Sequence, residues 1–207
     1  MSKMDLIIIG ASGHGKVVAE IAEINKEYAN IYFMDDFSDI KEFHGYRNLG
    51  STKQIDKYKD KADFFVAIGD NSVRKDKLEA LIKENYSIPT IIHPDTVISN
   101  TAYIGKGTVV MAGAIINASV KVNIGTIINT NSSIDHDSTV GKYTHISPGT
   151  TIAGSVSIGD EVWIGINASV INNITICDNV VVGAGSLVLE NIEKCGTYVG
   201  IPVRKIH

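Results

Sequence analysis

Split every six positions, residues 104–188 read IGKGTV VMAGAI INASVK VNIGTI INTNSS IDHDST VGKYTH ISPGTT IAGSVS IGDEVW IGINAS VINNIT ICDNVV VGAGSL V. The first residue of every block, from Ile104 to Val188, is Ile or Val, and the frame runs back through Ile98 and Ile92. Two positions before many anchors stands a small or β-branched residue, as at Ala102, Thr108, Ala114, Thr126, Ser132, Ser138, Thr144 and Thr150. One position after the anchor, Gly or Asn recurs, as at Gly105, Asn117, Asn123, Asn129, Gly141, Gly159, Gly165 and Gly183. A period of six is neither helical nor that of a simple strand. It marks a hexapeptide β-helix, three short strands to each triangular coil. The anchors are expected to point into the prism, and the Gly and Asn that follow them to supply left-handed corners. Ile104–Val188 alone predicts five coils, a column about 24 Å tall at ~4.8 Å per coil.

The first ninety or so residues read differently. Asp5–Ile9 is an apolar strand running into Gly10-Ala11-Ser12-Gly13-His14-Gly15-Lys16 and then into a helical pattern. Strand, Gly-rich turn and helix together bring backbone N–H groups and a helix N-terminus to one place, which suits a phosphate. A second strand, Ile31–Met34, ends in Asp35-Asp36. A third, Phe64–Ile68, leads through Gly69-Asp70-Asn71 into a helix over Val73–Glu84, and Ser87–Ile92 reads as a fourth strand. Strands alternating with helices predict a small Rossmann-like parallel sheet, whose ligands lie beyond the carboxyl ends of the strands. The glycine spacing departs from the dinucleotide fingerprint and the sheet is short, so the turn points to a nucleotide or nucleotide sugar rather than to NAD. His93-Pro94 marks the hinge, giving a nucleotide-sugar-binding domain over 1–93 and a β-helix over 94–207.

Composition narrows the function classes. The net charge is −4, which offers nothing to nucleic acid. No apolar run reaches membrane-spanning length, and Met1–Gly10 reads as a strand rather than a signal peptide. Cys177 and Cys195 have no metal-ligand spacing and read as reduced thiols of a cytoplasmic protein. The histidines are not at ligand spacing, so no metal is expected; a zinc hydrolase would need His136 and His145 to meet across subunits.

Together the hexads, the ending Tyr198-Val199-Gly200-Ile201-Pro202, the turn Gly13-His14-Gly15-Lys16, Asp35-Asp36 and the segment Asn129–Asp137 carry a family resemblance. The chain resembles the left-handed β-helix acyltransferases of the sialic-acid O-acetyltransferase-like group. Within that group it is most similar to the N-acetyltransferases acting on nucleotide-linked 4-amino-4,6-dideoxy sugars in bacterial glycan pathways. The resemblance implies the left hand, a homotrimer with active sites between prisms, acetyl-CoA as co-substrate, and a nucleotide sugar held by the front domain.

The chemistry centres on His136, two positions after an anchor and so near a corner rather than in the core. A neutral imidazole there can take the proton of an attacking amine, with Asp137 to orient the ring and Asp135 as the alternative carboxylate. The family commonly has Glu where Asp137 stands. The resemblance places His145 by the acetyl and pantetheine end of the coenzyme, with Gly154, Gly165, Ile166, Gly183 and Pro202 as further coenzyme contacts. Backbone N–H groups of Gly154 and of Gly165-Ile166 are candidate donors to the thioester oxygen. Asn129 is either one rung of a corner Asn ladder or a contact to the acceptor. For the nucleotide, Gly10, Ser12, Gly13, His14, Gly15, Lys16, Asp35, Asp36 and Gly69 are the candidates, with His14 and Lys16 flanking the phosphates. The same features fit O-acetylation of a sialic acid or related sugar, and a trimeric sensor of nucleotide sugars without catalysis.

Overall fold

The computed structural model describes residues 3–37 and 40–207. The chain divides into two compact units, one ending at Pro94 and the other beginning at Asp95. In the front unit the strands Asp5–Ile9, Ile31–Met34 and Ala62–Val66 form a parallel sheet with Asp5–Ile9 in the middle. Leu6, Ile7, Ile8, Phe33, Phe64 and Phe65 are buried, as expected of strands covered on both faces. The helix Gly13–Asn25 is N-capped by Ser12 and closed by Lys26 in a left-handed conformation. It buries Val18, Ala19, Ile21 and Ala22, one face at helical spacing. The second helix, Asn71–Lys83, is capped by Asp70, whose side chain accepts from Val73 N–H.

Two expectations need correction here. The third strand lies two residues earlier than expected, at Ala62–Val66. Ser87–Ile92 does not form a fourth strand of this sheet. Ser87 O accepts from Phe64 N–H, but Pro89 has no N–H and disfavours a continued ladder, and only Ile91–Ile92 is extended. Of the Met1–Gly10 segment, Asp5–Ile9 is strand, while Met1 and Ser2 lie outside the described residues. Among the described residues no helix is long and apolar enough to cross a membrane.

The second unit is a left-handed parallel β-helix of about six turns, one more than the five counted from Ile104–Val188 alone. One face stacks six two-residue strands from Val97–Ile98 to Leu187–Val188. Each strand pairs in parallel with the one eighteen residues on, as in Ile116↔Ile134↔Ile152↔Val170↔Val188. Every anchor from Val110 to Val188 is at most 2% exposed, each contributing about 1.5–3 kcal/mol of burial. The small residues two positions before the anchors are also buried, and their hydroxyls close the corners. Ser138 Oγ donates to Ala153 O, Thr144 Oγ1 to Gly159 O and Thr150 Oγ1 to Gly165 O, each about 3 Å away and fifteen residues along.

The left-handed residues are not where the sequence placed them. They fall three positions after each anchor, not one: Gly107, Gly113, Ser119, Gly125, Asn131, Asp137, Tyr143 and on through Gly185 all have positive φ. The glycines one position after the anchor serve close approach instead. A Cβ on Gly105 would lie 2.7 Å from Ile124 N, and one on Gly141 2.2 Å from Gly159 O, so only glycine lets the next coil stack there. At the end, Gly196–Val199 pairs in parallel with Val180–Val182, and Arg204–Lys205 turns back antiparallel onto Tyr198–Val199.

Candidate active site

His136 sits on the outer side of a corner, with its side chain 56% exposed. Its Nδ1 lies 2.8 Å from Asp137 Oδ2. A carboxylate only accepts, so Nδ1 carries the proton and Nε2 presents its lone pair. Consecutive residues on a strand face opposite ways. Asp137 reaches its neighbour because it is itself the left-handed corner residue, at φ +59°. Asp135 plays a different part. Its Oδ1 accepts from Asn117 Nδ2 and from His136 N–H, both at 2.8 Å. Of the two carboxylates, then, Asp137 holds the ring and Asp135 holds the backbone. The hydrogen bond that His136 donates to Asp137, and then the charge of Asp135, raise the His136 pKa above the usual imidazole value. The bonds from His136 N–H and Asn117 lower that of Asp135. One coil on, Gly154 makes room for the ring: a Cβ there would stand 2.7 Å from both Cε1 and Nε2 of His136. Gly154, expected beside the coenzyme, thus stands against the His136 ring.

A second feature runs along a different corner, the one after Ile146, Ile164 and Val182. Three successive coils contribute the same window, His145–Pro148, Trp163–Ile166 and Val181–Ala184, to an apolar groove of about 330 Å³. His145 and Trp163 stack face to face, centroids 5.6 Å apart and planes 10° from parallel. Trp163 Nε1–H donates to Ser147 Oγ at 2.9 Å, which fixes the indole. Asn129 Oδ1 accepts from Thr130 N–H at 2.8 Å, so its Nδ2 is the atom facing His145 Nε2 at 3.1 Å. Gly165 N–H donates to Val182 O and Gly183 N–H to Tyr198 O. Both are engaged in the ladder, so Gly165 is not the thioester donor the sequence suggested, although it lines the groove with Ile166 and Gly183. Pro202 is not in this groove. It borders a separate hollow of about 160 Å³ with Leu189, Tyr198 and Arg204.

In the front unit the glycines divide by function. Gly10 has φ +111° and a Cβ there would stand 2.8 Å from Ala67 O, while one on Gly15 would stand 2.3 Å from Gly10 O. Both are required by the packing of helix start against strand ends. Gly13 and Gly69 have neither a left-handed φ nor any atom within 4 Å of a would-be Cβ. Asp35 Oδ2 accepts from Ala11 N–H at 2.8 Å and ties the turn to the second strand. Asp36 accepts from Ser51 Oγ, Thr52 N–H and Oγ1, and Lys77 Nζ. Burial opposes its charge, but these bonds outweigh that and hold its carboxyl well below the ordinary range. Asp36 thus ties the end of the second strand to Ser51, Thr52 and Lys77. His14 is pushed down to about 4 by burial, with Arg74 reinforcing the shift, so it is neutral at pH 7 rather than a cation beside phosphate. Lys16 Nζ stands 5.2 Å over the Phe43 ring.

Among the described residues no cluster of three or more His, Cys, Asp or Glu is placed to hold a metal. Residues 5–81 match the PglD N-terminal domain, and residues 155–190 match the bacterial transferase hexapeptide repeat. The acetyltransferase domain of PglB from Neisseria gonorrhoeae is 35% identical, covers 99% of this chain and 100% of its own, and superposes with a TM-score of 0.96. The chain belongs to the hexapeptide-repeat acetyltransferases with a PglD-type N-terminal domain. Within this family, the PglB domain has also been solved with acetyl coenzyme A. PerB from Caulobacter crescentus, solved with CoA and GDP-perosamine, is 31% identical over 98% of this chain and 97% of its own, with a TM-score of 0.92. A Bacillus subtilis UDP-N-acetylbacillosamine N-acetyltransferase is 37% identical over 113 residues, 52% of this chain and 51% of that enzyme. The chain thus aligns with about half the length of that curated relative.

Four residues escaped the sequence reading of this acetyltransferase chain. Trp163 is the one tryptophan and lies one coil from His145, a spacing of eighteen that pairs them across the face. Ser147 follows from the same register. Asn117 lies one coil before Asp135 and was read only as a corner residue. Arg74 sits on the buried stripe of its helix with Leu78 and Leu81, a position that helical periodicity gives to an apolar residue.

Proposed function

We infer that the protein transfers the acetyl group of acetyl-CoA to the amine of a nucleotide-linked 4-amino-dideoxy sugar in bacterial glycan biosynthesis, with His136 as general base. The observation that carries this is the His136–Asp137 pair: an outward imidazole with its proton held on Nδ1 and its Nε2 edge kept clear by Gly154. The full-length likeness to an acetyl-CoA-bound acetyltransferase domain supports it.

In this reading the amine nitrogen attacks the thioester carbon while His136 Nε2 takes the N–H proton. The tetrahedral intermediate collapses with cleavage of the C–S bond, and the imidazolium returns its proton to the leaving sulfur. The pantetheine arm suits the apolar groove, which the His145–Trp163 stack, Ile166 and Ala184 line. Ile166 N–H is the donor we assign to the carbonyl oxygen, since Gly165 N–H is engaged in the ladder.

His136 and the groove occupy neighbouring corners, one triangle edge apart. An edge is six residues, up to about 20 Å of chain. That separation supports a homotrimer in which the base of one subunit serves the coenzyme groove of another. The front unit supplies the nucleotide site through the turn at residues 10–16, which Asp35 braces at Ala11 N–H, and the loop at 68–71. Acetyl-CoA as donor supports a cytoplasmic reaction.

The test is thiol release from acetyl-CoA against a panel of UDP-, dTDP- and GDP-linked 4-amino sugars, with sialic acid included. One amino-sugar nucleotide should turn over and sialic acid should not. His136→Ala should remain trimeric and bind nucleotide but lose at least ~100-fold in kcat. Undiminished transfer by that variant removes His136 from the mechanism.

A further inference from the structure

The front unit contains a cation that the reaction above leaves unused. Arg74 is 1% exposed and among the largest fully buried side chains. Its Nη1 donates to Ile68 O and Gly69 O, both at 3.0 Å, and its Nη2 to Asn71 Oδ1 at 2.8 Å. One guanidinium therefore gathers two carbonyls of the loop that follows the Ala62–Val66 strand and the side chain of the first residue of the next helix.

The geometry of the peptide bond gives this a consequence. In a trans peptide the carbonyl of one residue and the N–H of the next point in opposite directions. With the Ile68 and Gly69 carbonyls drawn inward to Arg74, the N–H groups of Gly69 and Asp70 are turned away from it. Two successive N–H groups then face outward at the start of the Asn71–Lys83 helix, an arrangement that favours an anionic oxygen. Gly69 has nothing within 4 Å of where a Cβ would stand, and neither has Gly13 on the turn after the adjacent strand. Neither glycine has a left-handed φ. Neither conformation nor packing demands glycine at these two positions, so the open space points to a ligand. Of the two side chains expected to flank the phosphates, His14 is buried, which lowers its pKa, and Lys16 Nζ lies over the Phe43 ring.

We propose that Arg74 is a positioning residue for nucleotide-sugar binding, turning the Ile68 and Gly69 carbonyls inward so that the Gly69 and Asp70 N–H groups receive the ligand's diphosphate across the face left open by Gly69 and Gly13. This rests on the nucleotide-sugar reading above.

The test uses the full chain with Arg74→Met, Arg74→Lys and Gly69→Ala. Arg74→Met should raise KM for the nucleotide sugar at least about ten-fold, the scale of lost charge-assisted hydrogen bonds, with kcat and the acetyl-CoA KM within two-fold of wild type. Arg74→Lys, one ammonium in place of a planar fork, should fall between. Gly69→Ala should melt at the wild-type temperature and still raise the nucleotide-sugar KM, which a purely structural role would not produce. Calorimetry with UDP, dTDP and GDP in turn should show the same losses. Wild-type nucleotide affinity in Gly69→Ala, or equal loss toward both substrates in Arg74→Lys, overturns the proposal. If Arg74→Met does not fold, the other two variants decide. A wild-type protein that binds nucleotide without transferring acetyl sinks the proposed reaction, and the calorimetry still decides the role of Arg74.

Discussion

Gly154 offers the sharpest perturbation of the proposed base, because the structure fixes what a single methyl would do. The Cβ of Gly154→Ala would stand 2.7 Å from both Cε1 and Nε2 of His136. Ordinary contact between such atoms is about 3.5 Å, so the ring must retreat by roughly 0.8 Å. The backbone of Gly154 has no left-handed φ and the obstructing atoms are the far end of an exposed side chain. The ring can therefore move at little expense, and the melting temperature should stay within a degree or two. Catalysis should not be so tolerant. Displacing the ring by that amount disturbs the 2.8 Å bond to Asp137, which has only a few tenths of an ångström of slack before it ceases to be a real hydrogen bond. It also moves Nε2 by nearly 1 Å, a misplacement on the scale that costs about 100-fold in rate. Single-turnover acetyl transfer should fall by one to two orders of magnitude with both KM values near wild type. The acid limb of the pH–rate profile should also move down, because the Asp137 hydrogen bond is the largest cause raising the His136 pKa. A Gly154→Ala enzyme with wild-type kcat and an unmoved acid limb would refute the assignment of His136 Nε2 as the working edge.

Further outcomes follow from the same geometry. A base must be neutral to act, so activity is lost as pH falls through the raised His136 pKa; Asp137→Asn keeps an acceptor and tolerates the left-handed corner but removes charge, and its acid limb should shift to lower pH. Trp163→Ala removes the stack on His145 and the groove wall, and should raise the acetyl-CoA KM about 3- to 10-fold, the scale of an aromatic pair, while nucleotide affinity by calorimetry stays unchanged. Ser138→Ala deletes a buried hydroxyl that donates to Ala153 O and accepts from Val156 N–H; equilibrium denaturation should show a loss of about 1–3 kcal/mol.

The architecture of the second unit was legible because stacking imposes one rule on every coil. Each anchor must meet the anchor eighteen residues away, and a single polar residue in the column would be buried without a partner. The same logic explains the misplaced corner. Gly and Asn recur after the anchors, but there they relieve close approach between coils, and the left-handed turn is two residues further on. That slot accepts Tyr143 and Glu161 as well as Gly and Asn, so composition blurred it. In the front unit the Gly-rich turn was visible, yet glycines required for packing and glycines facing open space look alike in sequence. Only the position of a would-be Cβ separates Gly10 and Gly15 from Gly13 and Gly69. Arg74 was invisible for a related reason: hydrophobic periodicity assigns its position to the core and says nothing of backbone carbonyls waiting there.

The placement of the candidate base follows from the repeat itself. Between one anchor and the next small residue lie three positions that the core does not claim. At this corner they are Asp135, His136 and Asp137. The first is braced by the coil before through Asn117, the second is cleared by the coil after through Gly154, and the third is bent back by the left-handed turn every corner needs. Orientation of the imidazole thus comes from features the solenoid already repeats, with Asn117 and Gly154 the local substitutions. Changing either should alter the base without loosening the column, whereas changing the anchor Ile134 should do the reverse. Ile134→Ala should cost about 2–5 kcal/mol of stability, with His136 chemistry intact in the fraction that remains folded.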